Sequence, residues 1–306
     1  KGRSTRWALS FICVGAIFLH LRVWTADQGI LILSFNADGK NPSKPLEPVH
    51  LMYASDDGSI QGVEASIRSV MYHASEPVIF HYVGNTPLPN LPNVNFYNLT
   101  KVAKQYKLKD FVNLRERSDN GYQGINDNLA NFARFAMDSL LKKQDKAMWV
   151  DVDTIVKCDV VSMVRSVLTE MKSPNIIAAV PSEGRPRGFY KKAIKKYKIS
   201  TGFNAGVYVV DLAKWRRFKM TEKIRKIAIK NRETPMYSLG SQGPLVLAMN
   251  DHFEHLGWEW NAKVSNFDRE DRVANEAEAC LLHWSGPNKP WLKNGLRKDI
   301  WEPFSS

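Results

Sequence analysis

Met148-Trp149-Val150-Asp151-Val152-Asp153-Thr154-Ile155-Val156 is the stretch on which the reading of this chain turns. Residues 147–150 form an apolar segment of strand length, and two carboxylates follow it directly. In an extended backbone residues i and i+2 face the same side, so Asp151 and Asp153 are expected to converge on one point while Val152 points away. Two hard oxygen donors on one face suit Mg²⁺ or Mn²⁺, which proteins bind through one or two carboxylates while substrate phosphates complete the shell. An Asp-x-Asp is common in a chain with 24% charged residues. Its place at the end of an apolar strand is what gives it weight, because buried uncompensated charge is unfavourable and a cation neutralises it.

On either side of this stretch the pattern alternates between strand and helix. Residues 49–55 form an apolar segment that stops at the turn signal Asp56-Asp57-Gly58. Ile60, Val63, Ile67, Val70 and Met71 then recur at helical spacing. Strands are expected at 77–83, 94–97, 176–180, 203–210 and 279–283, and a helix over 126–143 with Leu129, Phe132, Ala133, Ala136 and Leu140 on one face. This alternation implies an α/β fold with a mostly parallel central sheet, in which ligands bind outside the carboxyl ends of the strands.

A second cluster of chemistry lies near the C-terminus, in Leu281-Leu282-His283-Trp284-Ser285-Gly286-Pro287-Asn288-Lys289-Pro290-Trp291. A His at the end of an apolar strand supplies an imidazole donor suited to Mn²⁺ more than to Mg²⁺. Gly286 lets the backbone approach a diphosphate closely, and Lys289 adds a point charge against it.

The remaining sequence bounds these readings. The chain has 306 residues, 44% hydrophobic, with nine Trp, which excludes a disordered chain and allows one large domain. A formal net charge of +12 attracts anions without choosing among them. No recognised nucleic-acid module is present, and the aromatics lie in apolar strands instead of basic patches, so no nucleic-acid partner is expected. Cys13, Cys158 and Cys280 are widely spaced, without a CxxC pair; they indicate no zinc site and no disulfide framework, leaving open one Cys158–Cys280 bridge.

The chain begins at Lys1 instead of Met and is expected to start inside a longer product. Residues 1–6 form a basic flank expected in the cytosol, 7–24 a signal anchor or signal segment, 25–48 a Pro- and Lys-containing stem, and 49–306 the catalytic domain. The basic stretches 191–198 and 214–219 read as solvated helix surfaces, and 182–188 either as a loop that closes over the ligand or as an ordinary surface loop. Asn98-Leu99-Thr100 is a glycosylation sequon, meaningful in a secretory lumen.

Four ordered motifs between Val49 and Trp291 resemble glycosyltransferase family 8, in particular the eukaryotic glycosyltransferase 8 domain-containing proteins, with a more distant likeness to plant galacturonosyltransferases. They are residues 50–57; Asn128 to Arg134 with the Asp151–Asp153 strand; Phe203-Asn204-Ala205-Gly206 running to Asp211 and Trp215; and 283–291.

The resemblance implies a Rossmann-like GT-A fold and a retaining transfer of a hexosyl or related group from a UDP-sugar to an acceptor hydroxyl on a glycan, glycoprotein or glycolipid. It implies that Ala54 and Asp56 hold the uridine, and that Arg134 meets the donor sugar or its phosphates. Asp151, Asp153 and His283 would ligate Mn²⁺ or Mg²⁺, Gly286 and Lys289 would hold the diphosphate, and Asn204 and Ala205 would line the sugar and acceptor side. Where many members carry an Asp-Gln pair, this chain has Gly240-Ser241-Gln242-Gly243, which makes Gln242 the candidate there. The expected location is a Golgi or ER membrane, single-pass type II, with the catalytic domain lumenal. A catalytically silent nucleotide-sugar-binding protein on the same fold is the alternative. A sugar-nucleotide pyrophosphorylase is disfavoured, because no Gly-rich basic loop follows the first strand.

Overall fold

The computed structural model describes residues 20–22, 32–34, 47–112, 128–182, 188–250, 252–264 and 276–305. Its contacts divide the chain into one unit ending at Glu47 and another spanning Pro48–Ser306. In the first unit β1 (His20–Arg22) pairs antiparallel with β2 (Ile32–Ser34). The other residues of the expected basic flank, anchor and stem lie outside the described residues, except Glu47 at the stem's end. Among the described residues no helix is long and apolar enough to cross a membrane.

The second unit holds a seven-stranded sheet made of β3 (Val49–Ala54), β4 (Val78–Gly84), β5 (Val94–Asn98), β6 (Lys146–Val150), β8 (Ile177–Pro181), β9 (Phe203–Asp211) and β10 (Phe253–His255), in the order β10-β8-β9-β6-β3-β4-β5. Six of these follow the apolar runs read from sequence; β10 was not among them. Four of the six pairings are parallel and the two made by β9 are antiparallel. That reversal matters for function. A strand antiparallel to β6 presents its beginning, Asn204-Ala205-Gly206, where the parallel strands present their ends, and Asp151 N–H donates to the Gly206 carbonyl at 2.7 Å.

Both faces of the sheet are covered, one by a cluster including Met52, Trp149, Phe135 and Leu245, the other by Leu51, Tyr53, Val63, Ile67 and Met148. Helix α1 (Ile60–His73) buries Val63, Ile67 and Val70 as its spacing predicts, while Met71, expected on that stripe, is exposed.

The long helix expected over 126–143 is interrupted: α-helix at Leu129–Phe132, 3₁₀ at Ala133–Ala136 and α-helix again at Met137–Leu140. Its first two residues lie outside the described residues. The interruption has a hydrogen-bond cause. The Asn131 carbonyl accepts from Arg134 Nε at 2.9 Å and the Phe135 carbonyl from Thr221 Oγ1 at 3.1 Å, so two acceptors of the α-helical ladder are drawn to side chains.

A smaller sheet carries the C-terminal cluster. Here β12 (Leu281–His283) pairs antiparallel with β7 (Thr154–Val156) and parallel with β11 (Ala262–Lys263). Leu281↔Val156, Leu282↔Ile155 and His283↔Thr154 face each other. The bridge left open by the cysteine spacing forms: Cys158 and Cys280 are disulfide-bonded, one residue from Lys157, whose N–H donates to the Cys280 carbonyl at 2.7 Å. The disulfide thus closes the end of the β7–β12 ladder opposite His283. At the other side of this sheet Trp291 packs on α1 at Gly62, where a Cβ would stand 2.5 Å from the indole ring.

The basic stretches are resolved differently. Lys191–Tyr197 is a helix that buries only Ala193, as a solvated surface would. In 214–219 two of the four cations are structural, since Lys214 Nζ donates to the Asn175 carbonyl at 3.1 Å and Arg216 reaches the Gln144 carbonyl and the Asp145 carboxylate, while Arg217 and Lys219 are exposed. Most of the expected 182–188 loop lies outside the described residues.

Candidate active site

A cleft of about 390 Å³ opens at the carboxyl ends of β3 and β6, and every residue proposed from sequence lines it: Ala54, Asp56, Arg134, Asp151, Asp153, Asn204, Ala205, Gln242, His283, Gly286 and Lys289. The residues approach it from six separate parts of the chain.

Asp151, Val152 and Asp153 occupy a bend between β6 and β7 instead of a continuous strand. The carboxylates converge as expected, but through the bend and not the pleat, and Val152 also lines the cleft. One oxygen each of Asp151 and Asp153 and a ring nitrogen of His283 lie within 4.8 Å of one another. His283 is carried there by the β7–β12 ladder, and Trp284 N–H donates to the Asp153 carbonyl at 2.9 Å. Burial alone would raise the Asp153 carboxyl, but the charge that His283 carries when its ring is protonated, together with Lys289, outweighs burial and holds it well below the usual carboxylate range. Lys289 Nζ is ion-paired with Asp153 Oδ2 and donates to the Trp284 carbonyl at 3.0 Å.

Asp151 is fixed by two donors on one oxygen, Trp149 Nε1 at 2.7 Å and Arg134 Nη2 at 2.9 Å. Arg134 is 3% exposed, sits 4.5 Å over the Trp149 ring, and also donates to the Ala205 and Asn131 carbonyls. Its bonds therefore go to the strands that carry Asp151 and Ala205, a positioning task beyond the ligand contact expected from the resemblance. Gln242 Oε1 accepts from Ala205 N–H at 3.0 Å, which leaves its NH₂ as the donor end.

The groups present fit a cation and a nucleotide on two further observations. A Cβ on Gly206 would lie 2.3 Å from His283 Cε1 and 2.9 Å from Asp151 Oδ2, so two of the three ligand groups meet over a cradle that only a missing side chain leaves open. Asp56 holds one oxygen against Asn128 Nδ2, while its Oδ1 is buried with no partner among the described residues. An unpaired carboxylate oxygen on a residue that lines a cleft is an acceptor available to a ligand N–H or O–H that reaches it. Gly286 has φ +120°, a backbone region suited to glycine, and nothing within 4 Å of where a Cβ would be.

Two contributors were not singled out from sequence. Gly206 stands inside an apolar strand pattern, a signal of close backbone approach that was available. Asn261, whose Oδ1 lies 2.7 Å from His283 Nδ1, follows an aromatic run with no spacing that marks it.

The sequence matches the Glycosyl transferase family 8 model over residues 50–295, and the chain belongs to that family. It is 25% identical over 284 residues to the probable galacturonosyltransferase-like 4 of Arabidopsis thaliana, covering 86% of this chain and 80% of the relative. It is 25% identical over 307 residues to the mouse (Mus musculus) glycosyltransferase 8 domain-containing protein 2, covering 88% and 85%. Among solved structures it resembles the galactosyltransferase LgtC in complex with donor and acceptor sugar analogues, with TM-score 0.63 at 18% identity, covering 84% of this chain and 95% of that one. Mouse xyloside xylosyltransferase 1 superposes with TM-score 0.56 at 13% identity, over 78% and 98%. These likenesses show the GT-A fold, whose enzymes generally use a nucleotide sugar and a divalent metal.

Proposed function

We propose that this glycosyltransferase moves a hexosyl or related group from a UDP-sugar to an acceptor hydroxyl with retention of configuration, with Mn²⁺ or Mg²⁺ bound. The observation that carries the reading is one cleft that joins a partnerless Asp56 oxygen to the Asp151, Asp153 and His283 trio and to Lys289. A uracil N–H and a metal-bound diphosphate are the complementary groups.

The division of labour follows from the residues. Asn128 steadies Asp56, whose free oxygen accepts from the base. Asp151, Asp153 and His283 would hold the ion, and their two-oxygen, one-nitrogen set favours Mn²⁺. A divalent ion there, when bound, neutralises charge that grows on the leaving diphosphate. Lys289 places a cation on the same side, and the backbone at Gly286 leaves room for the phosphates. Asn204, Ala205 and the Gln242 amide line the remaining wall, where sugar and acceptor meet. The carboxylates among the described cleft residues are Asp56, Asp151 and Asp153, all assigned to base or ion, which favours attack by the acceptor hydroxyl on the departing face over a covalent glycosyl-enzyme.

The proposed location is a lumen, with the domain held as a type II protein of the Golgi or ER through residues 7–24. The Cys158–Cys280 disulfide supports an oxidising compartment, and the Asn98 sequon stands partly exposed at the end of β5.

The test is UDP release from a panel of UDP-sugars with Mn²⁺ or with chelator. One donor is expected to turn over only with metal, and Asp153→Ala to lose about 10³-fold or more, since metal charge stabilisation contributes several kcal/mol. Metal-dependent UDP binding without turnover on any acceptor would instead identify a silent nucleotide-sugar-binding protein. Absence of UDP binding would sink both.

A further inference from the structure

We infer that Asn261 is a positioning residue that fixes the tautomer of His283 and so aims the Nε2 lone pair at Asp151 and Asp153. The consequence for metal rests on the reading above; the tautomer itself exists with or without an ion.

Asn261 ends the 3₁₀ turn Trp258–Asn261 and leads directly into β11, which lies beside β12. It is 5% exposed, and His283 is 3% exposed. Its amide spans two partners: Oδ1 is 2.7 Å from His283 Nδ1, and Nδ2 donates to the Asn204 carbonyl at 3.4 Å.

The direction of this relay is set at its far end. The Asn204 carbonyl is a backbone acceptor and has no proton to give, so the nitrogen of the Asn261 amide faces it. The amide oxygen then faces His283, and an oxygen opposite Nδ1 requires Nδ1 to carry the hydrogen. In the neutral ring Nε2 is left with the lone pair. Nε2 lies 3.4 Å from Asp153 Oδ1, so two acceptors confront each other in a buried pocket, an arrangement that a cation between them resolves.

The opposite assignment turns the Asn261 oxygen against the Asn204 carbonyl oxygen. Two buried acceptors would then meet without a proton. It would also make Nε2–H a donor to Asp153 and close the trio to an ion. Asn204 further anchors the relay through its own side chain, which accepts from Gly206 N–H at 2.8 Å. The cradle glycine, the sugar-side strand and the His283 ring are thereby tied by one set of hydrogen bonds.

The experiment uses the full chain labelled with ¹⁵N-histidine, metal-free and at alkaline pH, with long-range ¹H–¹⁵N correlation reporting the tautomer. The His283 signals are assigned by their loss in His283→Gln. Wild type and Asn261→Asp, which keeps the acceptor oxygen at His283 Nδ1 while giving up the donor to the Asn204 carbonyl, are both expected to show the Nδ1–H form. Asn261→Ala is expected to lose it, because Asp153 becomes the nearest acceptor for the ring proton. In parallel, Mn²⁺ affinity by electron paramagnetic resonance should fall about 10- to 100-fold in Asn261→Ala and stay within about threefold in Asn261→Asp. An Nε2–H ring in wild type, or an Asn261→Ala variant with unchanged tautomer and Mn²⁺ affinity, overturns the proposal. If Asn261→Ala does not fold, the wild-type tautomer and its retention in Asn261→Asp decide it. Wild type that binds no Mn²⁺ yet shows the Nδ1–H form removes the metal reading and leaves the role of Asn261 standing.

Discussion

Asp56 and His283 line one cleft, and the supports beneath them differ in extent. Asp56 follows β3, which pairs with β4 through all six of its residues and with β6 on its other edge. His283 ends β12, which holds β7 through three residue pairs and β11 through two. A ladder that short closes few hydrogen bonds against the entropy of ordering a segment more than a hundred residues away in sequence. It is supplemented by the Cys158–Cys280 bond at one end and the Asn261 relay at the other. Both sheets are buried, Ile155, Val156, Leu281 and Leu282 as fully as the strands of the large sheet, but the small one carries in addition discrete bonds at its two ends, and its geometry should be the more sensitive to their loss.

The sharpest way to probe the contrast is Gly206→Ala, placed where the two supports meet. A methyl group there would stand 2.3 Å from His283 Cε1, closer than packed carbons come, and the sheet backbone beneath it cannot retreat. His283 is the group that has to shift, so metal-dependent turnover should fall by about 10²-fold or more while most of the fold survives, read by UDP release beside thermal melting. Retention of full activity would show that the small sheet adapts more freely than its bonding implies.

Removal of the disulfide by a Cys158→Ser, Cys280→Ser double variant comes next. The bond spans 122 residues of sequence, and the chain-entropy account assigns such a closure about 5 kcal/mol of stability. A loss of about 10 °C in Tm is expected, together with weaker Mn²⁺ binding, because the register of His283 opposite Thr154 is set beside that bond. Equal Mn²⁺ affinity in the reduced and oxidised protein would break the comparison and show that the ladder keeps its register unaided.

The smallest effect should come from the large sheet under acid. His81, on β4, is buried between His50 on β3 and Tyr97 on β5, with ring contacts at 3.0 and 3.1 Å. Burial, helped by the neighbouring His50, lowers its pKa to about 4 from the ordinary 6.5. The unfolded chain then binds the proton more readily than the folded one. The contribution of this site is complete above pH 6.5 and declines as pH falls toward 4, by about 3 kcal/mol in all. Melting temperature measured between pH 7 and pH 4 should drop less steeply in His81→Asn than in wild type. Parallel curves would place the acid sensitivity elsewhere.

Much of this arrangement was legible beforehand because its causes are local. The alternation of apolar runs with 3.6-residue spacing placed β3, α1, β4, β5, β6, β8 and β9 within one or two residues. The rule that ligands gather at the carboxyl ends of parallel strands put Asp151 and Asp153 at the cleft. The chemistry of 281–291 pointed to His283, Gly286 and Lys289, and the resemblance supplied Ala54, Asp56, Arg134, Asn204, Ala205 and Gln242, all of which the fold brings to the same cleft.

What the amino-acid order could determine alone was thus the layout of elements and the chemistry available at their ends, since periodicity and turn residues act over a few positions. The antiparallel course of β9, the broken Leu129–Leu140 helix, the Cys158–Cys280 bond, the duties of Arg134 and the Asn204–Asn261–His283 relay were decided only by tertiary structure. Most of these depend on partners far apart in sequence, such as Thr221 on the Phe135 carbonyl, Asn261 on Asn204 and Cys280 on Cys158. A hydrogen bond or a disulfide of that kind leaves no periodic trace along the chain; it exists only once the sheets have brought its two ends within about 3 Å of each other.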